Sequence, residues 1–124
     1  MLERTLDHYQ RHGFGAWLAE DRETGEPVGR VGLSYHRAWP DDPEVGWWID
    51  PERWGEGLAT EAGAAAIGYA FETLGVARVV SLTLEQNLAS RRVMEKLELR
   101  KLTEVSLPEL DVVLWVHVRD AASA

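Results

Sequence analysis

The 124-residue chain is expected to form an α+β domain in which helices flank a mixed, mostly antiparallel central sheet. Three observations predict this class: short β-branched runs, two long segments with helical spacing, and a composition that is 45% hydrophobic and 27% charged, as in globular domains. Neither a repeat nor a long linker divides residues 1–124, so a single domain is predicted.

The N-terminal segment predicts a helix. Leu2, Leu6 and Tyr9 recur at helical spacing ahead of Gly13. A short amphipathic helix over residues 2–11 is therefore expected.

A β-hairpin and a third strand are predicted next. Two apolar runs, Ala16–Glu20 and 28–35, flank the turn-rich residues 23–27. A loop over 39–43 is then expected to lead into a strand over 44–50.

The C-terminal half predicts two helices and two strands. Small residues dominate 53–74, which predicts a helix that can lie close to a sheet, and β-branched residues predict a strand over 78–84. A helix is expected over 87–97 with Asn87 as its N-cap, and a strand over 112–118. The strand, helix and strand order around 44–84 predicts one parallel pair in the sheet.

Composition excludes several function classes. A net charge of -8 disfavours nucleic-acid binding, which needs clustered cations. The absence of cysteine excludes disulfides and thiolate chemistry, and the four histidines show no metal-ligand spacing, so no metal is predicted. No apolar run reaches the roughly 18 residues of a membrane span, and the first ten residues are too charged for a signal peptide. A cytoplasmic protein without membrane contact is expected.

Two glycines precede the long predicted helix, in the segment RWGEG from residue 53. Glycine allows backbone N–H groups to approach a ligand closely, and a helix start leaves about four N–H groups without helical partners. A nucleoside triphosphate loop would require a lysine, which is absent, and a dinucleotide loop would require glycine where Thr60 stands. A diphosphate held by the amides of residues 53–60 and a plain strand-to-helix turn both remain open.

Two motifs carry a family resemblance. D-P-E-R-W-G-E-G-L-A-T-E-A and, after a strand, N-L-A-S-R-R-V-M-E-K-L resemble the acetyl-coenzyme A site of the GNAT acyltransferase superfamily, in particular its branch of ribosomal-protein N-terminal (Rim-type) acetyltransferases. The resemblance covers about residues 14–118 and implies transfer of an acetyl group from acetyl-CoA directly to a primary amine. The GNAT fold that it implies would here lack its usual first strand and helix.

The resemblance also implies where the cofactor binds. The glycine loop would hold the diphosphate, and the pantetheine arm would lie where strand 44–50 splays away from strand 78–84. The residues implied are Trp48, Ile49, Asp50, Arg53, Gly55, Glu56, Gly57, Leu58, Ala59, Thr60 and Asn87. The basic residues of the second helix, Arg91, Arg92 and Lys96, lie where an adenosine 3′-phosphate could be met.

Two residues are expected to carry the chemistry. Glu44 matches a position from which family members supply a general base, although a plain surface carboxylate beside Pro43 is the alternative. The usual tyrosine proton donor is replaced by Met94, so Ser90 is expected to supply the proton unless it only caps the helix.

The acceptor and the assembly follow from further features. Trp47 and Trp48 are expected to face opposite sides of their strand, so that one can line an acceptor pocket for a cationic amine. The missing N-terminal elements would leave the edge of strand 16–20 bare, which predicts a homodimer or impaired acceptor binding. Glu98 stands in place of a helix-ending glycine, so that turn is expected either to be strained or to change its shape. The alternative function is a non-catalytic acyl-CoA-binding sensor.

Overall fold

The computed structural model describes residues 2–4 and 16–121. Within that part of the chain, one seven-stranded sheet has the order β1-β2-β3-β4-β5-β7-β6. The strands are β1 (Leu2–Arg4), β2 (Ala16–Glu20), β3 (Pro27–His36), β4 (Trp39–Ile49), β5 (Arg78–Thr83), β6 (Arg100–Leu107) and β7 (Val112–Asp120). The helices are α1 (Leu58–Tyr69) and α2 (Leu88–Lys96). The predicted α+β class is confirmed.

Strand β1 corrects the prediction for the N-terminus. Residues 2–4 pair antiparallel with β2, with Leu2 opposite Ala19, so the predicted helix is wrong for these residues. Residues 5–11 lie outside the described part of the chain. The β2 edge that was expected to be bare is paired over three residues, which removes the argument for a homodimer, although the dimer itself stays a prediction.

Strands β2, β3 and β4 form an antiparallel meander, which confirms the predicted hairpin. The loop expected over 39–43 is wrong, because β4 already begins at Trp39, opposite His36. The prolines and aspartates of this segment suggested a loop, but a tight turn at residues 37–38 lets the ladder restart at once.

The second half of the sheet contains the predicted parallel pair. Strand β5 lies parallel to β4 and antiparallel to β7, as expected. Strand β6 was not predicted. It is the outer edge of the sheet, and most of its side chains are exposed, so its sequence shows no buried–exposed alternation.

The main core lies on the side of the sheet that both helices cover, called here the helix face. Its buried residues come from β2 to β5 and from both helices: Trp17, Val31, Leu33, Val45, Ala62, Ala66, Ile67, Ala70, Val79, Met94, Leu97 and Leu99. The other side, called here the second face, carries a smaller cluster of Val80, Val116 and Val118.

Helix α1 lies close against β4 because Gly63 has no side chain. A Cβ atom there would lie 2.6 Å from Leu97 Cδ1 and 3.4 Å from the Trp47 ring. The helix begins later than predicted, after a 3-10 turn at Pro51–Arg53. It continues through a π-helical turn and ends at Gly75, whose φ is 69°, as predicted.

Candidate active site

Strands β4 and β5 part almost at once. They pair only at Glu44 opposite Val80, although β4 continues to Ile49 and β5 to Thr83. Beyond that point the two strands share no ladder, so a gap opens toward the carboxyl ends of both strands. This is the splayed parallel pair that the sequence predicted.

Two side chains hold the strands together where the ladder stops. Glu44 Oε2 accepts a hydrogen bond of 3.2 Å from the Leu82 N–H, and Ser81 Oγ donates one of 3.0 Å to the Val45 carbonyl. Side-chain alternation places Glu44 on the second face and Ser81, which is 3% exposed, on the helix face. These two hydrogen bonds join β4 and β5 on both faces of the sheet, at the end of the gap next to Glu44, which is called here the apex of the gap.

Glu44 is a half-buried carboxylate rather than a plain surface group. Burial raises its pKa, while the Leu82 N–H and nearby His36 oppose that rise. A carboxylate whose pKa is moved toward neutrality is better suited to accept a proton at neutral pH. The geometry and the pKa both agree with a base at the apex of the gap.

The ladder between β3 and β4 decides which main-chain groups face the gap. The Asp50 N–H donates to Val28 O at 2.8 Å, so the alternation of an antiparallel pair turns the peptide groups of Trp48 and Asp50 toward β3. The same alternation turns those of Trp47 and Ile49 toward β5. The main-chain groups of Trp48 and Asp50, to which the pantetheine arm was assigned, therefore face β3, and those of Trp47 and Ile49 face the gap.

Trp54 closes the far end of the gap. Its indole Nε1 donates to the Ile49 carbonyl at 2.8 Å, while its side chain is 66% exposed. Since the Val45 carbonyl is taken by Ser81, the groups left facing the gap are the N–H and carbonyl of Trp47 and the N–H of Ile49. These groups can extend a ladder to a ligand that carries amides.

The loop after β4 presents open backbone amides. Gly55 and Gly57 have φ angles of 86° and 78°, in the left-handed region that favours glycine. Gly57 is the N-cap of α1 without any side-chain cap, and the first helical hydrogen bond runs 3.0 Å from Glu61 N–H to Gly57 O. The amides of residues 58–60 therefore have no partner inside the helix, and the helix dipole adds positive potential there.

Arg53 does not contribute as expected. Its guanidinium donates to Asp21 at 2.8 Å and to both oxygens of Glu56 at 2.9 Å, and its N–H donates to Asp50 O at 2.8 Å. Its hydrogen bond lowers the pKa of Glu56, so that carboxylate stays ionised and paired. Arg53 therefore fastens the glycine loop to the β2–β3 turn, and the open amides begin at Gly55.

The first turn of α2 is closed by its own side chain. Asn87 Oδ1 accepts from the Ser90 N–H at 3.2 Å, which confirms Asn87 as the N-cap. The Ser90 hydroxyl bonds to no described residue, so the cap is not its role. Met94 is 1% exposed and belongs to the core.

Trp115 lies near α2, half-buried between two cations. Arg91 Cζ lies 4.6 Å and Lys101 Nζ 3.5 Å from its ring. Arg91 also donates to Glu85 O at 2.8 Å. Arg91 is thus held against the sheet and is a weaker candidate for a 3′-phosphate than Arg92 and Lys96.

No pattern in the sequence marks His117 as a buried histidine. It is 6% exposed, and its Nδ1 has no hydrogen-bond partner among the described residues. Burial lowers its pKa, and the charges of Arg91 and Lys101 lower it further. The imidazole is therefore neutral at physiological pH.

Within residues 2–4 and 16–121, no group of three His, Asp or Glu side chains could hold a metal ion. No helix there has the length and the apolar character needed to cross a membrane.

Comparisons with known proteins place this geometry in context. A model of the acetyltransferase (GNAT) domain matches residues 1–100. The chain is 31% identical over 101 residues to the uncharacterized N-acetyltransferase YoaA of Bacillus subtilis, covering 82% of this chain and 57% of YoaA. It is 44% identical over 90 residues to the FsC-acetyl coenzyme A-N(2)-transacetylase of Aspergillus fumigatus, covering 66% of this chain and 37% of that enzyme. The matched part of the chain thus spans little more than half of YoaA and little more than a third of the fungal enzyme.

Solved structures share the fold. An acetyltransferase from Agrobacterium tumefaciens is 32% identical with a TM-score of 0.77, over 94% of this chain and 66% of that one. A ribosomal-protein-S5-alanine acetyltransferase from Vibrio fischeri has a TM-score of 0.78 over 91% of this chain and 65% of that one. At 19% identity the latter supports the fold alone.

Proposed function

The chain belongs to the acetyltransferase (GNAT) domain family, and from that premise we propose that it binds acetyl-CoA and transfers the acetyl group directly to a primary amine. The observation that carries the proposal is the position of the open amides. The pairing of β4 with β5 stops at Glu44, and the chain after β4 passes through the 3-10 turn and the glycine loop into the uncapped start of α1. A ligand with an amide-bearing arm and a diphosphate can bind these groups, with the arm along β4 and the diphosphate at the start of α1.

The described residues supply two kinds of contact to such a ligand. The amides of Gly55, Glu56, Gly57, Leu58, Ala59 and Thr60 would hold the diphosphate, and those of Trp47 and Ile49 would hold the pantetheine arm. Asn87 would contribute its side-chain NH2, since its Oδ1 is used as the cap. Acetyl-CoA would supply an activated acyl group at the apex of the gap.

Glu44 would act as the general base. An amine with a pKa near 10.4 is mostly protonated at neutral pH, so a base must take its proton before attack. Glu44 stands at the apex with a raised pKa, and it would accept that proton directly or through one water. An N–H of Trp47 or Ile49 would stabilise negative charge on the carbonyl oxygen.

Ser90 would serve as the proton source for the departing thiol. Its hydroxyl lies in the first turn of α2 and bonds to no described residue, so it can turn toward the sulfur. The usual position of a tyrosine proton donor is occupied here by Met94, which is buried in the core and cannot donate a proton.

The acceptor would be a cationic amine such as a peptide or protein N-terminus, as in the Rim-type branch. Trp48 is 55% exposed on the same face as Glu44, and the chain has a net charge of -8. An exposed indole beside a carboxylate attracts an ammonium group. Cytoplasmic location and a homodimer stay predictions.

A non-catalytic acyl-CoA sensor is the second candidate. The buried Met94 favours it, since a core thioether cannot donate a proton. Free-thiol release from acetyl-CoA in the presence of amines distinguishes the two, because a sensor binds the cofactor without releasing thiol.

Glu44→Gln tests the base directly, with Glu95→Gln on the exposed surface of α2 as the matched control. We expect Glu44→Gln to lower kcat/KM by about 100-fold or more, with acetyl-CoA affinity unchanged and the control within about twofold. A Glu44→Gln variant as active as the control would remove Glu44 from the mechanism.

The pH dependence has a defined sign. Wild-type activity should rise with pH as Glu44 deprotonates, at a higher pH than for an ordinary glutamate, because burial raises the pKa of Glu44. A raised carboxyl pKa favours the folded state below it and disfavours it above, so Glu44→Gln should unfold at an equal or higher temperature at pH 7. The difference in unfolding temperature between Glu44→Gln and the wild type should shrink as the pH falls.

A further inference from the structure

Gly46 lies in the interior of β4. Its φ is not in the left-handed region, and within the described part of the chain a Cβ atom built on it would meet no atom within 4 Å, so no described contact requires glycine there. Gly29 in β3 differs, because a Cβ there would collide with Trp48 O and Ile49. A glycine in a strand costs about 0.5–1 kcal/mol relative to alanine, and it often marks the close approach of a ligand.

The position of Gly46 indicates which ligand approaches. On β4 it shares the second face with Glu44 and Trp48, each two residues away and so roughly 7 Å along the strand. Its partner across the ladder is Gly32 in β3, which also has no side chain. Neither glycine places a side chain on that face, between the Glu44 carboxylate and the Trp48 indole, which is 55% exposed.

We propose that Gly46 determines the size of the amine that the site accepts. The proposal rests on the function proposed above and specifies its acceptor as a primary amine with a bulky group on the carbon next to nitrogen. The nitrogen lies toward Glu44 and the bulky group lies over Gly46, against the Trp48 ring. A side chain at position 46 occupies that space without touching the cofactor loop.

Two variants, Gly46→Ala and Gly46→Val, test the proposal. Val is among the residues favoured in strands, and Ala destabilises a strand less than Gly does, so folding should be retained. Gly68→Ala in α1 is the matched control, since a Cβ there also meets nothing within 4 Å. The probes are ethylamine and benzylamine, with thiol release measured at saturating acetyl-CoA and the KM for acetyl-CoA measured separately.

We expect Gly46→Val to lower the kcat/KM ratio of benzylamine to ethylamine by about tenfold or more, because overfilling a pocket by a few carbons has an effect of this size. Gly46→Ala should change the ratio in the same direction by less, while Gly68→Ala leaves it unchanged. An unchanged ratio in Gly46→Val, with wild-type transfer intact, overturns the role of Gly46 alone. A wild-type protein that releases no thiol with either amine overturns the proposed function and this proposal together.

Discussion

The two helices begin in opposite ways. The N-terminus of α2 is closed by the Asn87 side chain, which accepts the Ser90 N–H at 3.2 Å. The N-terminus of α1 follows Gly57, which has a φ of 78° and provides no side-chain cap. Capping typically contributes about 1 kcal/mol, so an uncapped start on the longer helix leaves stabilisation unused. The start of α2 is therefore stabilised by a side chain, whereas the start of α1 leaves its amides available to an anion.

Both helices end at a residue in the left-handed region, but the residue type differs. Helix α1 stops at Gly75, which adopts a φ of 69° without strain. Helix α2 ends in a Schellman motif, with Leu99 N–H to Met94 O at 2.9 Å and Glu98 N–H to Glu95 O at 3.0 Å. The left-handed position in that motif is Glu98, at a φ of 64°, which confirms the strain expected there.

Gly57→Ala should produce the largest effect. Alanine at this φ costs about 1–2 kcal/mol and turns the first amides of α1 away from their open positions. Acetyl-CoA affinity, measured by calorimetry, should fall by about tenfold or more, which corresponds to roughly 1.4 kcal/mol.

The matched control for this variant is Gly25→Ala in the β2–β3 turn. Gly25 has a φ of 75° and the same open surroundings, so the strain should be similar. Its acetyl-CoA affinity should stay that of the wild type. Equal affinity losses in the two variants would show that strain rather than the open amides of α1 explains the result.

Asn87→Ala should have the next largest effect, mainly on stability, with a smaller loss of acetyl-CoA affinity because the side-chain NH2 is removed as well. Removing an N-cap costs about 1 kcal/mol of unfolding free energy, measured by urea denaturation. Asn87→Asp keeps an accepting oxygen and should lose only a few tenths. If Asn87→Ala weakened acetyl-CoA binding more than Gly57→Ala does, the contrast between the two helix starts would be reversed.

Glu98→Gly should have the smallest effect, a gain of about 0.5–1 kcal/mol in unfolding free energy as left-handed strain is relieved. Glu95→Gly, inside the same helix, provides the opposite sign, with a loss of about 1 kcal/mol. Thermal unfolding of the two variants checks both. A loss of stability in Glu98→Gly would mean that the turn gains more from the glutamate than from glycine's freedom.

Elements with a strong pattern could be predicted from sequence, and those at the sheet edges could not. The β2–β3 hairpin, β5 and β7 each combine apolar or β-branched residues with clear boundaries. Strand β6 is mostly exposed, so no alternation identifies it. Strand β1 has three residues, which are too few to separate a strand period from a helix period.

Some features of the candidate site could likewise be predicted from the sequence, and others could not. The glycines at 55 and 57 could be identified because their requirement is local, in a loop before a helix. The engagement of Arg53 with Asp21 could not, since the two are 32 residues apart in sequence. The orientation of the Trp48 and Asp50 peptides depends on the register between β3 and β4, and a one-residue shift would reverse it.

Calorimetric titration of the wild-type protein with 3′-dephospho-coenzyme A and, in parallel, with pantetheine tests the diphosphate without the 3′-phosphate. Two charge-assisted hydrogen bonds of about 1.5 kcal/mol each predict that 3′-dephospho-coenzyme A binds about 100-fold more tightly. Equal affinities for the two compounds, or no heat with 3′-dephospho-coenzyme A, would contradict a diphosphate held by the open amides of α1.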